Sequence, residues 1–309
     1  FAELIDAVAT FVVACTRAGD GEAVASILDL EDEGVRHKAF GIALLECERI
    51  RGNRVLKSAD ESRFFETLTL GTGEPVRKRR LASACNKAHW VLFWAGAGPV
   101  AEEISRVLHR VLLELLAEEP EQSEWKRDLA GHLQRLGGLM VASGRSDEAL
   151  RYAGEDLRLR REIVNAEPDI LEWKRDLAVS TGRSAGLAAS RGRGEEALAG
   201  YEENIRLMRD VVAAAPDRID WVRDLAVALT QFGFSLSGDS RAAEVPGVAE
   251  EAVSLLRYII STDPARLDWN VDLMLALPLL GRARTRQGRS GEALVLAKEA
   301  VSVGRQVVA

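Results

Sequence analysis

PEQSEWKRDLA, residues 120–130, decides the fold, because the chain returns to the same frame three more times. It recurs as PDILEWKRDLA at 168–178, PDRIDWVRDLA at 216–226 and PARLDWNVDLM at 264–274. Trp125, Trp173, Trp221 and Trp269 therefore stand 48 residues apart, each five places after a proline. A fixed period above 20 residues is the mark of an array of stacked units, each burying its apolar face against its neighbours. The period extends outward from the tryptophans. Leu129, Leu177, Leu225 and Leu273 follow them by four places, and the same column reaches back to Leu81, where Arg77 stands in place of the tryptophan. Gly96, Gly144, Gly192 and Gly288 form a second column broken at Ser240, and Ala101, Ala149, Ala197 and Ala293 a third, broken at Val245.

Inside one unit, Trp125, Leu129, Leu133, Leu136 and Met140 recur at intervals of three and four, the apolar stripe of a helix over about 122–143. Gly144 ends that helix, Ser146 and Asp147 are placed to cap a second, and Leu150, Leu157, Ile163 and Val164 carry it on until Pro168. Each unit is thus expected to be an antiparallel helical hairpin, with Gly137, Ala185, Gly233 and Gly281 letting helices approach closely. Five units follow, over about 72–119, 120–167, 168–215, 216–263 and 264–309. Residues 1–71 are out of phase and read as a divergent helical repeat or cap, with helices over Phe1–Arg17, Glu22–Glu31, Val35–Arg51 and Ala59–Leu70.

The gaps between Gly137, Gly144 and Ala149 reproduce the spacing that marks the tetratricopeptide repeat, and from about residue 72 onward the chain resembles that family. The resemblance implies an all-α, right-handed α-solenoid of antiparallel hairpins. The ordinary unit of the family has 34 residues, so each helix here is expected to gain about seven, or about 10 Å at 1.5 Å per residue. The Trp-x-Arg-Asp-Leu-Ala core is similar to the long-unit variety found in bacterial multidomain proteins. By the family's register the inner face of the first helix lines a concave groove. That places Gln134, Gly138 and Val141 of the second unit there, Gly182, Gly186 and Ala189 of the third, and Thr230, Phe234 and Ser237 of the fourth, with Arg282, Thr285 and Arg286 at the last. The middle of this groove is small and nearly uncharged and its end is basic: either the superhelix winds tightly enough to fill its own groove, or the groove holds an extended segment of a protein or peptide partner whose acidic end meets Arg282 and Arg286.

Composition narrows the alternatives. A chain of 309 residues with 47% hydrophobic and 29% charged residues and only 8 prolines is that of a well-ordered helical protein. A formal charge of −7 argues against a general nucleic-acid or anionic-membrane footprint. Cys15, Cys47 and Cys85 are odd in number and widely spaced, as reduced thiols in a cytoplasmic protein are. No apolar run approaches the 18 residues a membrane helix needs. Phe1 rather than Met opens the chain, which fits a fragment of something longer, and a bare last hairpin would leave apolar surface for a further segment or a partner.

No catalytic, cofactor or metal constellation emerges. Cys85 and His89 share a helical face, but a metal needs three or four ligands. Gly71-Thr72-Gly73-Glu74-Pro75 lacks the lysine of a phosphate loop and reads as a turn. The tryptophans are large enough to be core anchors rather than stacking platforms. Asp128, Asp176, Asp224 and Asp272 look like a carboxylate ladder, yet Arg127, Arg175 and Arg223 beside them point to a repeated ion pair or a cap for the adjacent unit. Arg77, Lys78, Arg79 and Arg80 at a helix start would meet an acidic partner or nucleic acid, or else pair with nearby carboxylates, which is the simpler reading. The expected function is therefore a non-catalytic interaction scaffold, adaptor or sensor. The competing expectation is the regulatory arm of a larger bacterial enzyme, such as a caspase-like protease or a signalling NTPase.

Overall fold

The computed structural model describes residues 26–31, 33–52, 75–94 and 98–308. Among them every regular element is helical. We number the α-helices α1 (Glu33–Gly52), α2 (Pro75–Trp94), α3 (Gly98–Glu118), α4 (Ser123–Ala142), α5 (Ser146–Ala166), α6 (Leu171–Ser190), α7 (Gly194–Ala214), α8 (Ile219–Leu236), α9 (Val245–Thr262), α10 (Leu267–Arg286) and α11 (Ser290–Val308). The helices α2, α4, α6, α8 and α10 begin 48 residues apart, at Pro75, Ser123, Leu171, Ile219 and Leu267. Each tryptophan of the repeat is the third residue of its helix. The proline five places earlier has no N–H to donate and biases the residue before it away from helix, which separates one hairpin from the next.

The hairpin turns are set by one residue type. Gly144, Gly192 and Gly288 adopt φ of 72°, 73° and 75°, a region that costs an L-residue about 1–2 kcal/mol. Each closes its helix with the paired bonds of a glycine C-cap. Arg145, Arg193 and Arg289 donate their N–H groups to the carbonyls of Met140, Ala188 and Arg284, five residues back, at 2.7, 3.0 and 2.9 Å. At Ser240 the glycine is missing and the turn is different. The Asp239 carboxylate accepts the N–H of Arg241 at 2.9 Å, and a short 3-10 turn over Ala242–Glu244 delays α9 to Val245. The expected cap at Ser146 and Asp147 needs correcting. Arg145 is the N-cap, no side chain bonds the free N–H groups, and the Arg145 guanidinium instead grips Glu148 at 2.6 Å.

The helices group into two compact units that part within α4, between Leu136 and Gly137. In the first, α1 packs on α2, α2 on α3, and a 3-10 turn over Ser26–Asp29 lies against α1 and α2. Its core holds Leu28, Phe40, Leu81, Leu108, Leu112, Leu129 and Leu133. The helix expected over Glu22–Glu31 is, in its described part, only this 3-10 turn, whereas the one expected over Val35–Arg51 is α1. The helices expected over Phe1–Arg17 and Ala59–Leu70, and most of the turn at Gly71–Pro75, lie outside the described residues.

In the second unit each helix packs on the one before and the one after, α5 to α11, around a continuous apolar core. Leu177, Leu225 and Leu273 are buried in it, as are Trp221 and Trp269. Of the small residues expected to let helices approach, Gly233 is the most crowded glycine, and an added Cβ there would lie 2.6 Å from a methyl group of Leu279 on α10. The core is thus continued by a leucine from one hairpin seated in the cleft of the hairpin before it. The tryptophans themselves divide into two kinds. Trp125 and Trp173 are half-buried, and their indole N–H groups donate to Glu119 at 2.8 Å and Glu167 at 3.3 Å. Trp221 and Trp269 are buried beneath Arg218 and Arg266, whose guanidinium carbons sit 4.0 and 4.7 Å from the ring centroids.

Candidate functional site

Most charges of the second unit are committed to structure. Arg175 pairs with Asp224 at 2.7 Å, and Arg223 with Asp272 at 2.6 Å, so the Arg-Asp dipeptide of one hairpin reaches the aspartate of the next. A second ladder runs along the other helices. Arg161, Arg209 and Arg257, 48 apart, meet Glu203, Glu251 and Glu299 at 3.0, 2.7 and 2.5 Å. The same period would have disclosed this second ladder in the sequence, had the second helix of each unit been aligned for charge. In the first unit the basic run at the start of α2 is likewise absorbed. Lys78 bonds Glu118 at 2.6 Å and Glu114 at 3.1 Å, Arg79 pairs with Glu119, and Arg80 donates to the Leu28 carbonyl at 3.1 Å. Hydrogen bonds to Glu118 and Glu114 hold the Lys78 ammonium above its ordinary range. The side chain of Arg77 lies outside the described residues. Cys85 is buried, and loss of water pushes its thiol far up, away from a reactive thiolate. The side chain of His89 lies outside the described residues.

Of the residues expected along the groove, several are spent on the fold. Thr230 is buried and donates its hydroxyl to the Ala226 carbonyl at 2.8 Å, so it does not offer a contact surface, which corrects that expectation. A hydroxyl in mid-helix satisfies itself on the preceding turn more readily than it reaches outward. Ser237 does the same with Gly233. Gly182 is also buried, its space taken by Asn204. Gly138, Val141 and Ala189 are exposed, and Gly186 is half-buried. Gln134, half-buried, belongs to the first unit.

The residues that do come together are at the end of the second unit. Phe234 is exposed and carries the Arg282 guanidinium over its ring at 5.4 Å. Arg282, Thr285 and Arg286 rim a cavity of about 560 Å³ between α10 and α11. Leu277, Pro278 and Gly281 form one wall, and Ala293, Ala297 and Ala300 the other. Pro278 lies inside α10, where it removes one backbone donor from the helix ladder. Ala293 belongs to the alanine column of the repeat, whereas Pro278, Ala297 and Ala300 were not among the residues singled out in the sequence. Among the described residues neither Arg282 nor Arg286 takes part in an ion pair, unlike Arg284 between them, which is buried against Glu250 at 2.7 Å. A second cavity, about 430 Å³ among α7, α8 and α9, differs in kind. Its charges satisfy one another, with Arg241 held by Glu202 and Glu244 at 2.7 Å each, which raises the guanidinium further.

An apolar cleft rimmed by two guanidinium groups that make no ion pair among the described residues can hold an aliphatic or small aromatic side chain and a neighbouring carboxylate. It contains no nucleophile and base pair. No described helix is long and apolar enough to cross a membrane.

Consecutive antiparallel helical hairpins of this geometry make an all-α repeat fold of the tetratricopeptide-like kind. Solved structures agree at the level of fold. BtubC (BKLC) from P. vanneervenii is 17% identical and superposes with a TM-score of 0.59, over 80% of this chain and 89% of that one. The apo form of RapI is 12% identical with a TM-score of 0.55, over 98% of this chain and 77% of its own. No family model matches the chain, and no curated protein matches it significantly.

Proposed function

We propose that this chain is a non-catalytic interaction scaffold that captures a protein or peptide partner on the surface carrying Phe234, Arg282, Thr285 and Arg286, with an acidic part of the partner against the two arginines. One observation carries the reading. In a unit where arginines on both helix rows are tied into ladders, Arg282 and Arg286 stand at the rim of an apolar cavity with no carboxylate partner among the described residues. Unneutralised charge beside an apolar cleft favours a complementary partner both in steering and in specificity.

The repeat architecture supports the same conclusion, since stacked hairpins supply extended binding surfaces. Partners captured from a native lysate by the purified chain and identified by mass spectrometry provide the ligand for the test. Arg282→Glu together with Arg286→Glu should weaken that partner about tenfold or more while leaving the melting temperature unchanged, as expected for exposed charges at an interface. Equal affinity for the two proteins disposes of the reading.

A further inference from the structure

The smaller cavity, among α7, α8 and α9, lies at the turn where Ser240 breaks the glycine column, inside the array rather than at its end. A spacing of 48 forward from Gly194 of α7, or back from Ser290 of α11, would start α9 at residue 242, but the 3-10 turn delays it to Val245. Arg241 and Glu244 of this altered turn border the opening. The floor is apolar, made of Ile205 on α7, Leu229 and Phe232 on α8 and Val248 on α9. Phe232 and Phe234 are two residues apart, about 200° round the helix, so this cavity and the surface carrying Phe234 and Arg282 lie on opposite sides of α8.

At this turn an arginine gains a second partner. Arg193, Arg241 and Arg289 share one repeat position, and each meets the glutamate three residues on, at 3.4, 2.7 and 2.6 Å. Arg241 also crosses to Glu202 on α7 at 2.7 Å and lies over the Phe232 ring, its guanidinium carbon 5.9 Å from the centroid.

The rim charges are paired, but unevenly. At one end two carboxylates, Glu202 and Glu244, share the single guanidinium of Arg241, which leaves one negative charge there. One and two turns along α7, Arg206 and Arg209 supply the opposite sign. Arg206 meets Asp210 only at 3.6 Å, with the two side chains 64% and 63% exposed. Arg209 gives one N–H to Glu251 at 2.7 Å. A guanidinium has five N–H donors, so this end has capacity for a further carboxylate. Along the helix axis Arg206 is about 6 Å and Arg209 about 10 Å from Glu202. An extended dipeptide spans about 7 Å, which sets its ammonium at one end and its carboxylate at the other with a side chain over the floor. A simple carboxylate satisfies only the cationic end, and a simple amine only the anionic one. The volume of about 430 Å³ falls in the lower part of the range of ligand sites.

We propose that the α7–α9 cavity binds a zwitterionic peptide of dipeptide length with an apolar side chain, its ammonium between Glu202 and Glu244 and its carboxylate on Arg206 and Arg209. The site is separate from the partner surface on α8 and α10, and neither depends on the other.

Calorimetric titration of the full chain with the dipeptide leucyl-phenylalanine tests this. Binding should be saturable at one site per chain, and at least tenfold weaker for the N-acetylated and the C-amidated dipeptides. Arg206→Gln should weaken the dipeptide about tenfold while leaving the C-amidated form, which has no carboxylate to lose, as it was. Glu244→Gln should do the same for the dipeptide and spare the N-acetylated form. Val248→Trp, which fills the floor, should abolish binding. Because that variant alters packing, the exposed Arg206→Gln, with the parent's melting temperature, decides by itself. Absence of saturable binding by the parent overturns the proposal, as does affinity that survives capping of both ends or is indifferent to Arg206→Gln. A longer peptide ending in the same two residues and binding as tightly also overturns it, since the occupant is then the end of a polypeptide.

Discussion

The interface of α5 with α6 and that of α9 with α10 use the same repeat positions for opposite chemistry. Asp156, Arg160 and Ser180 in the first stand where Ala252, Leu256 and Ala276 stand in the second, and all six are buried. In the polar version Arg160 grips Asp156 at 2.7 Å and reaches Asp176 at 3.4 Å, while Ser180 donates to the other oxygen of Asp156. Between them, α7 and α8 place Asn204, Met208 and Ala228 at those positions, an intermediate composition. The helix starts do not register the change, with α6, α8 and α10 still 48 residues apart. Hairpin placement is therefore set by the columns of Trp, Leu and turn Gly, and the side chains between helices are free to be ionic or apolar provided they satisfy one another. A satisfied buried ion network adds little net stability over hydrophobic packing, but it is unforgiving of losing one member.

The comparison breaks hardest at Arg160. Arg160→Leu puts the apolar residue of Leu256 next to a carboxylate that no longer has its cation, and should cost about 4 kcal/mol in urea unfolding at pH 8. Adding Asp156→Ala and Ser180→Ala completes the α9–α10 set and should recover most or all of that loss. If the single and triple variants are equally unstable, the two interfaces do not share a backbone environment and the equivalence is wrong.

Titration sharpens it. Burial pushes the Asp156 carboxyl up to about 6, against the opposing pull of Arg160, so the folded chain holds this proton to higher pH than the unfolded chain does. A raised folded value means that stability from this group is present at low pH and is lost as pH climbs from about 4 to about 6, after which it levels. Exposed carboxylates such as Glu148 and Asp268, held low by arginine bonds, act in the opposite sense, so the measurement is a difference between proteins. Asp156→Asn should lose stability less steeply than the parent over that window, and the cost of Arg160→Leu should shrink at pH 5. Parallel pH profiles for parent and Asp156→Asn would mean that the carboxylate is already ionised throughout.

The hairpins were legible because their determinants are local and periodic. A proline, a tryptophan five places on and a glycine in the left-handed region fix where each helix starts and stops, and Ser240, the break in that column, marks the turn that differs. The recurring Arg-Asp dipeptide was legible for the same reason, whereas its pairing across hairpins, Arg175 with Asp224 and Arg223 with Asp272, is a product of packing. What escaped is what depends on how far one helix is rotated against another. Asp156 and Ser180 are 24 residues apart on different helices, and nothing in their spacing brings them together. Thr230 kept the groove register yet turned its hydroxyl to its own helix. The exposed end cleft was foreshadowed only as apolar surface on a last hairpin. Its alanine wall and Pro278 needed the packing of α10 on α11 to be seen as one cavity.

The smallest effect belongs to the feature that repeats most visibly. Arg209 and Glu251 are 56% and 38% exposed, and pairs of that kind are worth about 0.2–1 kcal/mol because water screens them and two long side chains must be ordered. Arg209→Ala should therefore lower stability by about 0.5 kcal/mol, and salt near 1 M, where the screening length is about 3 Å, should erase the difference. Charge reversal separates stabilisation from register. Arg209→Glu sets two carboxylates together on α7 and α9, and adding Glu251→Arg restores the attraction with its direction inverted. If the exchanged pair recovers the parent's stability, the ladder is a local Coulomb contact and the order of hairpins owes nothing to it. If the exchange stays destabilising, Arg209 is also fixed by its neighbours in the α7–α9 cavity, where Glu202 and Glu244 already hold Arg241, and the ladder and that network act as one unit.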